Sequence, residues 1–299
     1  MNPIAKLLYA YRKHNKLTQK ELGEALSVYD EEFKSVNTVT LSRWENSTTS
    51  PGLQKKKKLL YFLLAHDCLQ CQECRSTIRE CYENLYDSLQ KIFTDNYQYI
   101  IGNLPEQKRD EYYFHVLGKN DPYREYVEHT VDIEKASNVP GYYIVSPKKL
   151  EQWCRYPSSF ALICERKKQH LGHFVMLKLK INVAEDIVYH RRSELSLEEE
   201  DFCAINTKGT YYVHALYGCN PKIAALLNVE AYLHLFDCME TVDNVIIFSS
   251  RTDGMLLTKD YGIKEVASGK DETYGFEWHG MLSPVEDILF SDTVLKLVF

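Results

Sequence analysis

The chain has 299 residues, of which 44% are hydrophobic and 26% charged, and a net charge of -6. That length is comfortable as two domains with their own cores, and the balance is that of a globular rather than a disordered protein. No apolar run approaches the roughly 20 residues a bilayer-spanning helix needs and no charged-then-apolar leader opens the chain, so a cytoplasmic protein is expected, with its nine cysteines reduced.

The charge is uneven. Residues 1–67 hold 11 Lys and Arg against 7 Asp and Glu, and the remainder holds 25 against 35, giving a basic head on an acidic body. Helical periodicity begins at once, with Ile4, Leu7, Leu8 and Tyr11 on one stripe and Lys6, Arg12, Lys13 and Lys16 on the other face. Thr18 then suits the N-cap of a second helix. Glu21, three residues on, completes a capping box, and Leu22 and Leu26 form the inner face.

Thr18-Gln19-Lys20-Glu21-Leu22, Leu41-Ser42-Arg43-Trp44-Glu45-Asn46 and the Ser50-Pro51 break before Leu53 and a basic helix resemble the helix-turn-helix of the XRE family of phage-repressor type. The resemblance implies an all-α DNA-binding domain over residues 1–66 that reads duplex DNA as a dimer. It implies that Gln19 contacts the backbone or a base edge, and that Thr38, Val39, Thr40 and Arg43 read bases. Asn37 or Thr38 would cap the reading helix, Asn46 and Lys55 would meet phosphate, and Arg12 and Glu45 would form an internal ion pair. The chain departs from the family between Ser27 and Val36, where eight residues, Val28 to Ser35, lengthen the turn.

From Leu59 to about Phe93 the helical pattern continues, with Cys71, Cys74, Ile78, Cys81, Leu85, Leu89 and Ile92 at three- and four-residue steps, and residues 67–140 are expected to form a helical connector suited to dimerisation. Cys68, Cys71 and Cys74 invite a metal or redox reading. On one unbroken helix, however, about 100° per residue turns Cys68 and Cys74 about 240° apart, so packing is the expected role, with a metal site or a redox-sensing thiol as the other readings. Asn120-Asp121-Pro122 and Asn138-Val139-Pro140-Gly141 then mark the approach to a domain over residues 141–299.

In that domain Ser146 to Trp153 reads as a helix and Phe160–Glu165, Gly172–Lys180 and Thr210–Leu216 as strands. Pro221 to Met239 reads as a long helix, Asn244 to Ser249 as a buried strand, Thr252 to Tyr261 as a short helix stopped by Gly262, and Ile263 to Ser268 as a strand. Strand-like pieces also lie near Tyr274–Glu277 and Thr293–Val298.

This order resembles the second half of the GNAT acyltransferase fold over roughly Tyr143 to Ser268, an α/β mixed sheet with flanking helices. The resemblance implies a cradle for the acyl-CoA pyrophosphate between a strand and the long helix. Here that stretch is Asn220-Pro221-Lys222-Ile223-Ala224-Ala225, with Ile223 at the key glycine position and Pro221 removing an amide. Thr258 stands where the family often has a general-acid tyrosine.

His214, Tyr217, Asn220 and Lys222 gather by sequence at the cleft mouth and are the candidate ligand-binding residues for a small molecule or an acyl-CoA-like group. No catalytic constellation, metal site or cofactor is legible. The expected function is a dimeric transcription regulator whose acidic body senses a ligand or contacts a protein. The alternatives are an acyl-CoA-dependent N-acyltransferase joined to a DNA-binding domain and an antitoxin-like partner-binding regulator.

Overall fold

A computed structural model of the protein describes residues 2–66, 68–96, 112–117, 124–137 and 144–298. Asn120-Asp121-Pro122, Asn138 to Gly141 and the start of the expected α/β domain up to Tyr143 lie outside the described residues. The chain divides into two units. The first comprises Met1–Leu85 together with Phe290–Phe299, and the second Tyr86–Leu289.

The first unit is helical. Asn2 caps α1 (Pro3–His14), whose Pro at the start loses no intrahelical bond. Thr18 and Glu21 close a reciprocal capping box at α2 (Gln19–Tyr29). The first two of the eight added residues, Val28 and Tyr29, extend α2, and Glu31–Phe33 then form a 3-10 turn that buries Phe33. Asn37 caps α3 (Thr38–Glu45) through Thr40 N at 2.9 Å. α4 (Leu53–Ala65) packs against the chain's C-terminal helix, Asp292–Val298.

Glu45 is buried at 3% exposure, and its carboxylate takes both Arg12 Nε at 2.6 Å and Arg12 Nη2 at 2.9 Å, with Gln19 Nε2 donating at 2.8 Å. The expected ion pair is present and holds α1, α2 and α3 at one point.

The expected single helix from Leu59 to Phe93 is broken. α4 ends at Ala65, a 3-10 turn spans Cys68–Gln70, and Cys71 sits in extended conformation before α5 (Gln72–Glu83). The break removes the angular separation that an unbroken helix would impose on the thiols. Cys74 now contacts Cys68 and Cys71, and its Sγ lies 3.8 Å from the carbonyl of Leu7. Among the described residues, no group of three or more Cys, His, Asp or Glu could hold a metal ion. The neighbouring Cys68 thiol and burial raise the Cys74 thiol far above its usual range, and thiols so held are packing groups rather than nucleophiles.

The second unit opens with α6 (Tyr86–Asn96), β1 (Tyr113–Val116), α7 (Arg124–Ser137) and α8 (Pro147–Arg155). β2 (Phe160–Arg166) and β3 (Gln169–Leu179) follow, then α9 (Ile181–Val188), β4 (Gly209–Gly218) and α10 (Pro221–Cys238). The remaining elements are β5 (Val242–Ser249), α11 (Thr252–Asp260), β6 (Lys264–Lys270), β7 (Glu277–Pro284) and α12 (Val285–Leu289), and α13 is the C-terminal helix of the first unit. The seven strands form one mixed sheet in the order β1-β2-β3-β4-β5-β7-β6. Only β4 and β5 run parallel, joined across α10 as a parallel pair requires.

Two expected strands are corrected. The one near Tyr274–Glu277 begins only at Glu277, because Asp271 gathers the amides of Thr273 and Tyr274 into a turn. The one over Thr293–Val298 is helix α13, started by Ser291, whose hydroxyl accepts from Val294 N at 3.2 Å. Among the described residues no helix is long and apolar enough to cross a membrane.

α10 is apolar on nearly every side and lies between one face of the sheet and α6 and α12. The other face carries α7, α8 and α9 over a core that includes Trp153, Ile163, Val175, Leu177, Ile187 and Tyr212.

Candidate active site

The sheet forks at one residue. Val175 pairs with Ala215 and Met176 with Val213, so His214 is the extra residue of a bulge in β4. The parallel pairing of β4 with β5 also stops here, at Val213 and Ile247. Beyond that point β4 continues against β3 to Gly218, and β5 continues against β7 to Ser249. The bulge breaks the inward-outward alternation. His214 and Ala215 therefore both lie on the α7–α9 face, while Val213 and Leu216 line a cavity on the α10 face.

His214 sits between two carboxylates, with its own side chain 3% exposed. Its Nδ1 is 3.0 Å from Glu194 Oε2, and its Nε2 is 3.4 Å from Glu134 Oε1, a charge contact not aligned as a hydrogen bond. Tyr212 Oη donates to the same Glu194 oxygen, and Trp153 meets the imidazole edge-on with ring centres 5.4 Å apart. Burial alone would lower the imidazole's affinity for a proton, but Glu134 and Glu194 outweigh it and hold His214 up to about 9. Burial also raises the Glu134 carboxyl, against the pull of His214. With His214 protonated and both carboxylates ionised, the cluster has a formal net charge of -1.

Each member is held from behind. Glu194 lies in the segment after α9, started by the Ser193 cap and tied by the Arg192–Asp201 pair at 2.9 and 2.5 Å. His190, in left-handed conformation at the end of α9, reaches Asp271 at 2.9 Å and stacks on Phe248. Glu134 projects from α7, which packs on α8 and β3. A cleft of about 670 Å3 opens beside α8, with Trp153, Tyr156, Glu198 and Phe202 on its walls, so the indole borders both the cleft and the His214 cluster.

On the opposite face, a cavity of about 70 Å3 lies between α10, α11 and the forking strands, lined by side chains such as Met176, Leu216, Ala231, Leu235, Ile247 and Leu257. Thr258, at the position of the family's tyrosine, is 3% exposed and donates to the carbonyl of Met255 at 2.7 Å.

The four expected ligand residues each make a contact of their own. His214 belongs to the carboxylate cluster, and Tyr217 packs on His173 with ring centres 5.8 Å apart. Asn220, 4% exposed, is the cap of α10 and accepts from Ile223 N at 3.0 Å. Lys222 Nζ lies 5.5 Å from the ring centre of Tyr112.

The first turn of α10 is thus partly committed. Pro221 has no amide hydrogen, Ile223 N goes to the Asn220 side chain and Ala224 N to the Asn220 carbonyl. Gly218 is required at the mouth, because a Cβ there would come within 2.7 Å of Ala224 N. Glu134 and Glu194 were not legible as site residues, since no local motif marks either and only the fold brings them to His214.

In the first unit, Gln19, Asn37 and Asn46 make internal hydrogen bonds to Glu45, Thr40 and Ser42. Thr38, Val39 and Arg43 are exposed on α3, Thr40 is half-buried there, and Lys55 is half-buried on α4.

No protein family and no curated protein matches the sequence. Solved structures do match, over the C-terminal part. An N-acyl amino acid synthase from uncultured soil microbes, FeeM, is 13% identical, with a TM-score of 0.43 over 59% of this chain and 92% of its own. The ribosomal-protein-S18-alanine N-acetyltransferase of Escherichia coli is 8% identical, with a TM-score of 0.37 over 58% and 94%. Arabidopsis thaliana NAA60, solved with acetyl-CoA, is 10% identical, with a TM-score of 0.39 over 58% and 99%. The likeness is one of fold, to acetyltransferases of this kind, over the C-terminal region. These neighbours correct the expectation of a DNA-binding, XRE-type transcriptional regulator. They are N-acyltransferases, and the helix-turn-helix assignment finds no match of its own.

Proposed function

We propose that the second unit transfers an acyl group from a thioester to an amine. One observation carries the reading: the β4 bulge at His214 coincides with the fork of β4 and β5, so a cavity on one face and a buried acid–base cluster on the other meet at the same point. Past the fork, the backbone edges of β4 from His214 and of β5 from Phe248 face each other without pairing. Such edges suit the amides of an extended pantetheine arm, as sheet edges suit an added strand.

The cluster's net negative charge favours a cationic acceptor, an ammonium group, near Glu134. Glu134, its proton affinity raised by burial, takes a proton from that group, and the freed amine attacks the thioester carbonyl. The new C–N bond forms as the C–S bond breaks, and the sulfur leaves as a thiol carrying the amine's second proton. His214 stays protonated and orients Glu134, while Glu194 and Tyr212 fix the imidazole.

The test is thiol release from acyl-pantetheine or acyl-CoA donors against a panel of primary amines. Glu134→Gln is expected to lower the rate about 100-fold or more, as removal of a general base does, with the fold checked by circular dichroism. No amine-dependent thiol release with any donor would refute the reading.

A further inference from the structure

We propose that the acyl group is a short unbranched aliphatic chain of about four carbons, seated in the cavity beneath α10. The assignment rests on the acyl-transfer reading above and names its donor.

The cavity begins at the fork, since Val213 and Ile247, the last residues paired across it, and Leu216 just beyond are in its wall. A thioester held at the fork therefore points its tail inward, under the middle turns of α10. Two of the polar side chains there are engaged by the backbone. Asn228 Nδ2 donates to the carbonyl of Ala224 at 2.8 Å, and Thr258 Oγ1 to that of Met255. Tyr232 and Tyr261 also line the space, but most of its wall is aliphatic or aromatic carbon, which favours an apolar tail over a polar one.

Size sets the chain length. At about 70 Å3 the cavity is about half the roughly 150 Å3 of an engineered cavity that admits benzene, which leaves room for about three carbons beyond the carbonyl. An acetyl group leaves most of that volume empty and forfeits its contacts. An octanoyl chain overfills it and forces the packed side chains apart. At the other end of the donor, Asn220 takes the amides of Ile223 and Ala224 in the first turn of α10, which weakens that turn as a cradle for a nucleotide pyrophosphate and leaves more of the discrimination to the tail.

The experiment is titration calorimetry of the full chain with acetyl-, butyryl- and octanoyl-pantetheine, alongside turnover of each with an accepted amine. Butyryl is expected to bind about fifteen-fold tighter than acetyl, two buried methylenes each contributing roughly four-fold, and octanoyl more weakly than butyryl. Ala231→Leu fills the space and should equalise acetyl and butyryl. Leu235→Ala enlarges it and should move the optimum to a longer chain, and a folded sample of either variant suffices.

Equal affinities in the unaltered protein, a steady gain through octanoyl, or no binding of any of the three would each overturn the assignment. Chain-dependent binding without turnover would uphold the cavity's role and overturn the acyl-transfer reading alone.

Discussion

Replacing His214 by Gln tests whether the imidazole between Glu134 and Glu194 is charged in the native protein. The folded-state affinity is raised to about 9, against roughly 6.5 for an unperturbed histidine. A raised folded value contributes stability that is fully present below about pH 6.5 and is lost as the pH rises through 9. The full difference corresponds to about 3 kcal/mol at 1.36 kcal/mol per unit, and the side chain is too buried for solvent to screen much of it. Urea unfolding of the unaltered protein between pH 6 and 10 should therefore show stability falling by that order. His214→Gln should lose most of the fall, and near pH 6 should be less stable by about 3 kcal/mol, since two carboxylates then share a buried space with no cation. An unchanged pH slope in the variant would refute the charged assignment.

The opposite sign is expected of His170, which burial lowers to about 4. The unfolded chain binds the proton first, so stability falls as the pH drops from about 6.5 to 4, by about 3 kcal/mol, and acid titration of His170→Gln should lack part of that loss. Gly280→Ala would place a Cβ 1.9 Å from the carbonyl oxygen of Val188 on α9; a loss above about 2 kcal/mol is expected from such overpacking, and a near-neutral urea midpoint would contradict the β7–α9 packing. Arg12→Met leaves Glu45 buried with only Gln19 and should cost about 3 kcal/mol, while adding Glu45→Leu should recover much of it. Of nine cysteines, eight are buried and Cys238 is partly so, with its thiol pushed up to about 11 by burial. Native protein should thus release colour from a thiol reagent for at most one, and for all nine in denaturant.

Much of the second unit was legible because its signals are local. β-branched and aromatic runs mark β2, β3, β4 and β5, and Pro221 followed by an unbroken apolar stretch marks α10. The capping box at Thr18 and the Arg12–Glu45 pair were equally readable. What failed was decided elsewhere in the chain. Thr293 to Val298 alternates like a strand, yet the Ser291 cap starts a helix. The cysteine stripe keeps helical spacing through Cys68 to Cys81, yet the backbone breaks at Cys71, where periodicity carries no mark. The helix-turn-helix resemblance rested on residues such as Gln19 and Glu45, whose side chains also serve an ordinary helical packing unit. His214 was noticed, but without the carboxylates that flank it, because a bulge changes which face each later β4 residue presents. Glu194 reaches it across 20 residues and Glu134 across a longer span, without any motif.

The first unit takes α13 from the far end of the chain, so Tyr86 to Leu289 is an insertion within it. During synthesis, the inserted sheet is complete before Phe290 leaves the ribosome, whereas α4 waits for its packing partner until Asp292–Val298 have been made. The helices made first are in this way the last to be finished, and a shortened message would leave the sheet intact while exposing the flank of α4.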